Sequence, residues 1–513
     1  MDRAPGFGPG GCGFESCRAR SIMEIKPSHI PGEVLEIVKT LEKQGFEAWI
    51  VGGCVRDLLL GRKPRDWDIT TNATPEEIQG AFENTFYTNE FGTVGVVNEV
   101  ASDENLKVVE VTPYRLEGKY SDNRRPDEVT FAKTLEADLK RRDFSINAMA
   151  YSPTQNELKD LYEGIKDIKD MTVRAVGEPE DRFGEDALRI LRAIRISAEL
   201  DCTIEDKTRE AMAAKAGTLE NISKERIRDE FVRIICSQKP LKALILAHSL
   251  GILQYVAPEL EEGVGVDQNQ AHSYNVFEHS LRSLQHAADK GWGLNVRLAA
   301  LFHDVGKPKS RRWSEAKGDW TFHGHEVVGA RMAKKLLERL KFSRETTDAV
   351  VTLIRWHMFF SDPDKVTLSA VRRIIANVGR EHIEDLMHLR ICDRIGTGRP
   401  KEQPFRLRKY RSMIEQALRD PISVSMLAVD GKRVMEVSRE KPGPRIGWML
   451  HALLEEVLDD PEKNSVEYLE KKIIELAKLS DSELRARGEE GKGRKEEEEE
   501  KDLKEIRKKY FVE

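Results

Sequence analysis

AWIVGGCVRDLLLGRKPRDWDI, residues 48–69, starts as an apolar strand, breaks at Gly52 and Gly53, and resumes as a short amphipathic helix expected from about Val55 to Leu60. Strand, glycine turn and helix start together leave backbone N–H groups bare at a positive helix end, a setting that suits phosphate. Arg56, one turn into the helix, is positioned to reach a phosphate oxygen. In RDWDI the alternation of a strand sends Asp66 and Asp68 to one face and turns Trp67 and Ile69 into the core. Glu110, in LKVVEVTPYR at 106–115, is flanked in the same way by the inward Val109 and Val111. A solvated strand edge also carries D-x-D, and most glycine pairs only turn the chain. The succession is what carries meaning: a phosphate turn followed closely by paired acids reads as a nucleotidyl-transfer site, with two divalent metals on Asp66, Asp68 and Glu110.

The longer stretch VGGCVRDLLLGRKPRDWDITTNATPEEI, residues 51–78, resembles the head of the class II tRNA nucleotidyltransferases, the CCA-adding enzymes, and of their relatives the bacterial poly(A) polymerases. Four further blocks agree in order and spacing: KRRDFSINAMA at 140–150, DLYEGIKDI at 160–168, EDALRILRAIR at 185–195 and SKERIRDEF at 223–231. The resemblance runs from residue 23 to about 480 and implies an α+β protein. Its parts are a small mixed-sheet nucleotidyltransferase head of the DNA polymerase beta-like kind at 23–150, an all-α neck at 151–240, an HD-type helical body at 241–410 and a tRNA-binding tail at 411–480. Residues 1–22, rich in Gly and Arg before Met23, read as a disordered extension or a misplaced start, and 481–513 as a charged extension with an acidic run at Glu496–Glu500. Beyond Glu185 the apolar spacing of three and four, as in Leu188, Leu191, Ile194 and Ala198, is helical.

The resemblance also implies roles for residues. Gly53 and Arg56 hold the triphosphate, with two Mg²⁺ ions on Asp66 and Asp68 and Glu110 as third carboxylate. Arg141, Arg142, Asp143 and Asn147 contact the ribose and phosphates of the incoming nucleotide; Asp143 and Asn147, one helical turn apart, can point together. Asp186 and Arg189 are expected as neighbours on one helix face. Cytosine and adenine both offer an exocyclic amine beside a ring-nitrogen acceptor, so an accepting carboxylate and a donating guanidinium select C and A over U and G without a template. The simpler alternative is an i, i+3 ion pair, worth about 0.2–0.5 kcal/mol. Arg192 and Arg195 continue the row of cations, and a triphosphate would supply the anions they need. In DLYEGIKDI, Glu163 stands where the family often has one of a glycine pair, and Ser223 is a candidate N-cap for the next helix.

A second constellation lies in the body. His279, the pair His303 and Asp304 in LFHDVGKP, His325 in HGHE, His357 in RWHMFF, and Asp393 resemble an HD-type phosphohydrolase, which implies a second divalent metal and cleavage of phosphorylated RNA ends. Taken singly, each histidine is better read as a core residue, and the alternative is a helical scaffold for tRNA. RPKEQPFRLRKYR at 399–411 mixes Arg406, Arg408, Lys409 and Arg411 with Phe405 and Tyr410, a pattern suited to RNA backbone and base stacking. Further on, Gly443, Pro444 and Gly447 open a helix in the part that resembles the family's tRNA-gripping tail.

Composition bounds the rest. The chain has 513 residues, 34 % charged and 39 % hydrophobic, and a net charge of −6, so local patches rather than overall charge must attract nucleic acid. Six cysteines without a C-x-x-C pair indicate neither zinc ribbon nor disulfide framework, and fit a reducing cytoplasm. The longest apolar run, LKALILAHSLGIL, is too short and interrupted to span a bilayer. In the resembled family an intact loop such as EGKYSDNRRPDEVTF, 117–131, accompanies adenine incorporation, and FGTVGVV, 91–97, is more like the tRNA enzymes than the polymerases. The expected function is addition of CCA, or its terminal A, to tRNA from CTP and ATP; a poly(A) polymerase, or chiefly an HD phosphohydrolase, remains open. Nothing in the sequence specifies an oligomeric state.

Overall fold

The computed structural model describes residues 22–87, 92–99, 101–117, 129–269, 273–359, 366–418 and 424–490. The N-terminal extension, most of the 117–131 loop, Phe91 and the acidic run lie outside them, as do Cys12 and Cys17. The chain divides into two units, residues 1–230 with 249–255, and 231–248 with 256–513.

The first unit is built on a seven-stranded mixed sheet. Its strands are β1 (Ala48–Val51), β2 (Asp68–Thr71), β3 (Thr85–Tyr87), β4 (Val94–Val97) and β5 (Val108–Pro113). A separate ribbon, β6 (Arg115–Glu117) with β7 (Val129–Phe131), precedes the last two, β8 (Met149–Ser152) and β9 (Glu157–Asp160). The order is β3-β4-β5-β2-β1-β8-β9, antiparallel throughout except for β2 beside β5. All four residues of β1 are buried, which is why AWIV reads as a continuous apolar run. Along β5, by contrast, Val109 and Val111 are buried while Glu110 is half-buried on the other face. The sheet reaches Asp160, so the expected head boundary at 150 falls inside β8. A short parallel pair, β10 (Thr172–Val173) and β11 (Thr203–Ile204), ties the segment before the helix Leu188–Leu200 to the segment after it.

The second unit is helical, as expected, except for an unanticipated hairpin of β12 (Arg312–Ser314) and β13 (Asp319–Thr321). Helices Val276–Asp289, Leu294–Phe302, His325–Arg339, Arg344–Trp356 and Ile383–Gly396 supply its chemistry. The helix Pro444–Asp459 opens at Gly443 and Pro444 as the sequence suggested, and packs Met449, Leu453 and Val457 against Val434, Leu469 and Ile473.

Candidate active site and candidate metal centre

Gly52 ends β1 with φ +83° and leads into the helix Gly53–Leu59, two residues earlier than the sequence suggested. A Cβ at Gly52 would lie 3.0 Å from Arg142 Nη1 and 3.5 Å from Asp68 Oδ2, so glycine is demanded by both the backbone angle and the space. Parallel pairing puts Asp68 opposite Glu110. Asp66 departs from expectation: it sits exposed in a bend ahead of β2, which begins only at Asp68. Trp67 and Ile69 are nevertheless buried as alternation required.

Burial pushes the Asp68 carboxyl up to about 6; Arg142 opposes the rise, while the like charges of Glu110 and Asp66 add to it. Glu110 is raised too, by burial first and then by Asp66. Acids that strain against one another in this way suit a divalent cation with oxygen preference. Their oxygens are not drawn into a tight cluster, however; among the described residues, groups of three or more metal-type ligand atoms within 4.8 Å of one another occur only in the second unit.

A cavity of 360 Å³ opens over the turn, lined by Gly52, Gly53 and Asp68 together with Arg142, Asp143, Asn147, Asp186, Arg189 and Arg192. Asn147 Nδ2 donates to Asp143 Oδ1 at 3.2 Å, so these two do point together, although through a 3₁₀ turn at Ser145–Asn147. Burial alone would raise the Asp143 carboxyl, but Arg192, donating to Oδ2 at 2.8 Å from Nε, brings it well below the usual range. Arg141 also lines the cavity, and with Arg142 it is bound to the buried Asp138.

Asp186 and Arg189 both reach the cavity wall but not as neighbours on one helix. The helix Pro179–Glu185 stops before Asp186, whose backbone is extended (φ −139°, ψ 105°), and the next helix begins at Leu188. The expected i, i+3 geometry therefore does not exist. Asp186 Oδ1 accepts from Leu188 N at 3.0 Å and Oδ2 from Arg226 Nη2 at 2.7 Å. Arg189 donates to Glu185 at 2.6 Å and to the Arg141 carbonyl at 3.0 Å.

Two further expectations change. Arg56 donates to Asn147 Oδ1 at 2.7 Å and to Asp57 at 2.8 and 3.0 Å, and it is Arg142 that lines the cavity beside Gly52. Arg195 is buried on Glu230 at 2.7 Å and Glu199 at 3.0 Å, so protein carboxylates supply the anions that a triphosphate was expected to provide. Sequence reasoning missed Arg115, Thr93 and Arg226, all of which line the cavity. Only Arg226 had a signal, its place in SKERIRDEF; Ser223 immediately precedes that block's helix, Lys224–Ile235. Glu163 takes the left-handed conformation, φ +58°, that a glycine adopts freely.

In the second unit the six HD residues converge. His279 Nε2 lies 2.9 Å from His303 Nε2, 3.0 Å from Asp304 Oδ2 and 3.4 Å from Asp393 Oδ1. On the other side, Asp304 Oδ1 is 3.3 Å from His325 Nε2 and 3.9 Å from His357 Nε2, so one carboxylate stands between two ligand groups. Nδ1 of His303, His325 and His357 lies 2.9, 2.7 and 2.7 Å from the carbonyls of Ala300, Phe322 and Ile354. A carbonyl only accepts, so each ring holds a proton on Nδ1 and turns Nε2 inward, where the neutral form presents a lone pair, the arrangement of metal-binding imidazoles. Burial lowers and Asp304 raises the His303 imidazole, to a net value of about 9; His357 is pushed well below the usual range by burial and by His303. The donor set thus fits a divalent transition metal. Gly306 permits the approach: a Cβ there would run into the backbone at His325 and Gly329. A cavity of 810 Å³ opens on Asp304, His325, His357 and Asp393.

Of the basic and aromatic stretch, Phe405 is exposed, but Tyr410 is buried against Phe359 with ring centroids 4.8 Å apart, so it packs the unit instead of offering a face to RNA.

A glycine turn on a mixed sheet with acids on the adjacent parallel strands defines the first unit as a nucleotidyltransferase head. Residues 48–174 match the Poly A polymerase head domain, 201–263 the RNA and SrmB- binding site of polymerase A, and 276–397 the HD domain. Through these three matched regions the chain is similar to the CCA-adding enzymes and the poly(A) polymerases, with an HD domain beside the head. The family's chemistry uses a divalent metal. The chain is 44 % identical to the CCA-adding enzyme of Enterococcus faecalis over 246 residues, 47 % of this chain and 59 % of that one. To the CCA-adding enzyme of Leuconostoc mesenteroides it is 40 % identical over 271 residues, 51 % of this chain and 66 % of that one. The matched part thus spans between half and two thirds of these relatives. The crystal structure of the Bacillus stearothermophilus CCA-adding enzyme in complex with CTP aligns over 86 % of this chain and 96 % of that chain, with TM-score 0.65 and 26 % identity. No helix among the described residues is long and apolar enough to cross a membrane.

Proposed function

We propose that the protein is a template-independent nucleotidyltransferase that adds CCA, or its terminal A, to tRNA 3′ ends from CTP and ATP. The observation that carries this reading is that Asp186 and Arg189 line the same cavity as Gly52, Gly53 and Asp68, so a base-selecting edge and a phosphate turn share one chamber. In the reaction the RNA 3′-oxygen bonds to the α-phosphorus, the bond to the β-phosphate bridge breaks, and pyrophosphate leaves. Asp186 keeps acceptor capacity on both oxygens for the exocyclic amine of C or A, and Arg189 donates to the ring nitrogen. Arg141, Arg142 and Arg192 face the phosphates, while Asp143, Asn147 and Arg192 form one hydrogen-bonded unit at the ribose. Asp66, Asp68 and Glu110 would hold divalent metal, Mg²⁺ in this reading; such ions acidify the attacking hydroxyl and neutralise the departing phosphates. We assign Gly53 to the triphosphate through its backbone, and give Arg56 and Arg195 the task of bracing Asn147 and Glu230. The division into head, neck, body and tail follows the same reading, and substrates of this kind imply a cytoplasmic location.

The convergence of His279, His303, Asp304, His325, His357 and Asp393 favours a second activity. We infer that this centre holds a divalent metal and hydrolyses phosphate esters at RNA ends, which would restore the hydroxyl that the head extends.

One assay tests the main reading: tRNA transcripts ending before CCA, after C and after CC are incubated with each labelled nucleoside triphosphate. Ordered C, C, A extension supports CCA addition, and single-A extension of only the CC-ended transcript narrows it to an A-adding enzyme. Long A tails on unrelated RNA would make it a poly(A) polymerase. Undiminished extension by an Asp66→Asn, Asp68→Asn variant would refute the assignment of the head.

A further inference from the structure

The cavity over the HD centre is furnished for more than a phosphate. Lys307 and Arg390 are committed to the cluster itself, Lys307 Nζ lying 2.6 Å from Asp304 and Arg390 pairing with Asp393. Beyond them the wall carries four more cations, Lys317, Arg394, Arg399 and Arg406. Besides the buried Phe322, it carries two more accessible aromatic side chains from separate elements. Trp320 comes from β13 and is braced: the Arg311 guanidinium lies 3.8 Å from its ring centroid, and Trp313 packs edge-on at 5.2 Å. Phe405, at the start of the helix Phe405–Ala417, is 68 % exposed although large and apolar. A small phosphate ester seated at the metal ligands would use neither the rings nor the outer arginines.

A single-stranded nucleic acid uses both kinds of group, because every base has a face for an aromatic ring and every linkage a charge for an arginine. We propose that this cavity is a polynucleotide-end subsite, in which bases next to the scissile phosphate stack on Trp320 and Phe405 while upstream phosphates lie along Arg394, Arg399 and Arg406. The proposal rests on the reading of the HD centre as a phosphoesterase. In that step, water oxygen bonds to phosphorus, the bond from phosphorus to a ribose oxygen breaks, and that oxygen takes the proton. What the subsite adds is discrimination by chain length: a mononucleotide leaves the outer arginines unused.

The test compares glycerol 1,2-cyclic phosphate, an ester without an aromatic ring, with ribonucleotides of one, three and six units ending in a 2′,3′-cyclic phosphate, using the full chain with Mg²⁺, Mn²⁺, Co²⁺ or Ni²⁺. KM is expected to fall from one unit to six. Trp320→Ala and Phe405→Ala are each expected to raise KM for the hexamer by about tenfold, following the alanine cost of one stacked base, and to leave the small ester within twofold. Trp320→Phe should restore most of the loss. Equal KM for one and six units, or equal effects of the variants on hexamer and small ester, would overturn the subsite. Hydrolysis of none of the four substrates would instead overturn the phosphoesterase reading. In that event fluorescein-labelled hexaribonucleotide binding judges the subsite without turnover: weaker binding by Trp320→Ala supports it, and unchanged binding rejects it.

Discussion

Arg226 holds Asp186 by a 2.7 Å hydrogen bond to Oδ2, whereas Arg189, only three residues along, is tied to Glu185 and to the Arg141 carbonyl. The carboxylate proposed to select the base is thus oriented by a helix distant in sequence. A charge-assisted bond of this kind contributes about 1.5–3 kcal/mol. Arg226→Ala should therefore relax selection against UTP and GTP by roughly tenfold or more, with Arg226→Lys intermediate. Misincorporation measured with each of the four labelled triphosphates checks this; unchanged selectivity would remove Arg226 from the account.

Gly52→Ala should cost about 1–3 kcal/mol from its backbone angle alone and should lower transfer as well, because the added methyl presses on Arg142 beside Asp68. Gly32→Ala is the control, since nothing lies within 4 Å of a Cβ there. Urea unfolding and kcat for CTP incorporation would read both effects.

Asp143 gives the first unit an acid-sensitive joint. Its pKa is lower folded than unfolded, against the burial that would raise it, because of Arg192 and the Asn147 hydrogen bond. The stabilisation is therefore complete above about pH 4, the usual carboxylate value, and is lost as pH falls toward the folded pKa. Melting between pH 6 and 3 should drop less steeply in Asp143→Asn than in the parent chain.

The block DLYEGIKDI contains two adjacent positions, Glu163 and Gly164, with opposite tolerance. Glu163→Gly should raise the melting temperature by about 2 °C or less, since the left-handed backbone is relieved while the unfolded chain gains freedom. Gly164→Ala should lower it, because a Cβ would meet the Ser145 carbonyl oxygen at 2.5 Å. Scanning calorimetry separates the two.

In the second unit, Gly306→Ala should weaken metal binding at the HD centre at least tenfold by parting Asp304 from His325, at a cost of about 1–3 kcal/mol in stability. Titration calorimetry with Mn²⁺ or Ni²⁺ would measure it, while nucleotide addition by the head should persist.

Much of the site was legible because it is local. The run AWIV, the break at Gly52 and the alternation about Trp67 and Glu110 each depend on a few consecutive residues, and period and glycine geometry suffice to read them. The HD residues were legible as a set although spread from 279 to 393, since in that order they resemble the HD-type phosphohydrolases. Reading failed where one element's state depended on a partner. Asp186 looked helical within EDALRILRAIR, yet its extended backbone lets Oδ2 meet Arg226, 40 residues away. Tyr410 looked free in a basic stretch but fills a space beside Phe359.

The sequence by itself determined the strand and turn of the head, the inward Trp67 and Ile69, its kinship, and which histidines and carboxylates gather in the second unit, because these rest on backbone geometry and side-chain chemistry that travel with short segments. Only the tertiary structure decided which arginines face the cavity and which are spent on carboxylates, since an ion pair depends on which charges packing brings within about 4 Å. It alone revealed Arg115, Arg226 and the braced Trp320, whose neighbours lie far along the chain or in an unanticipated hairpin.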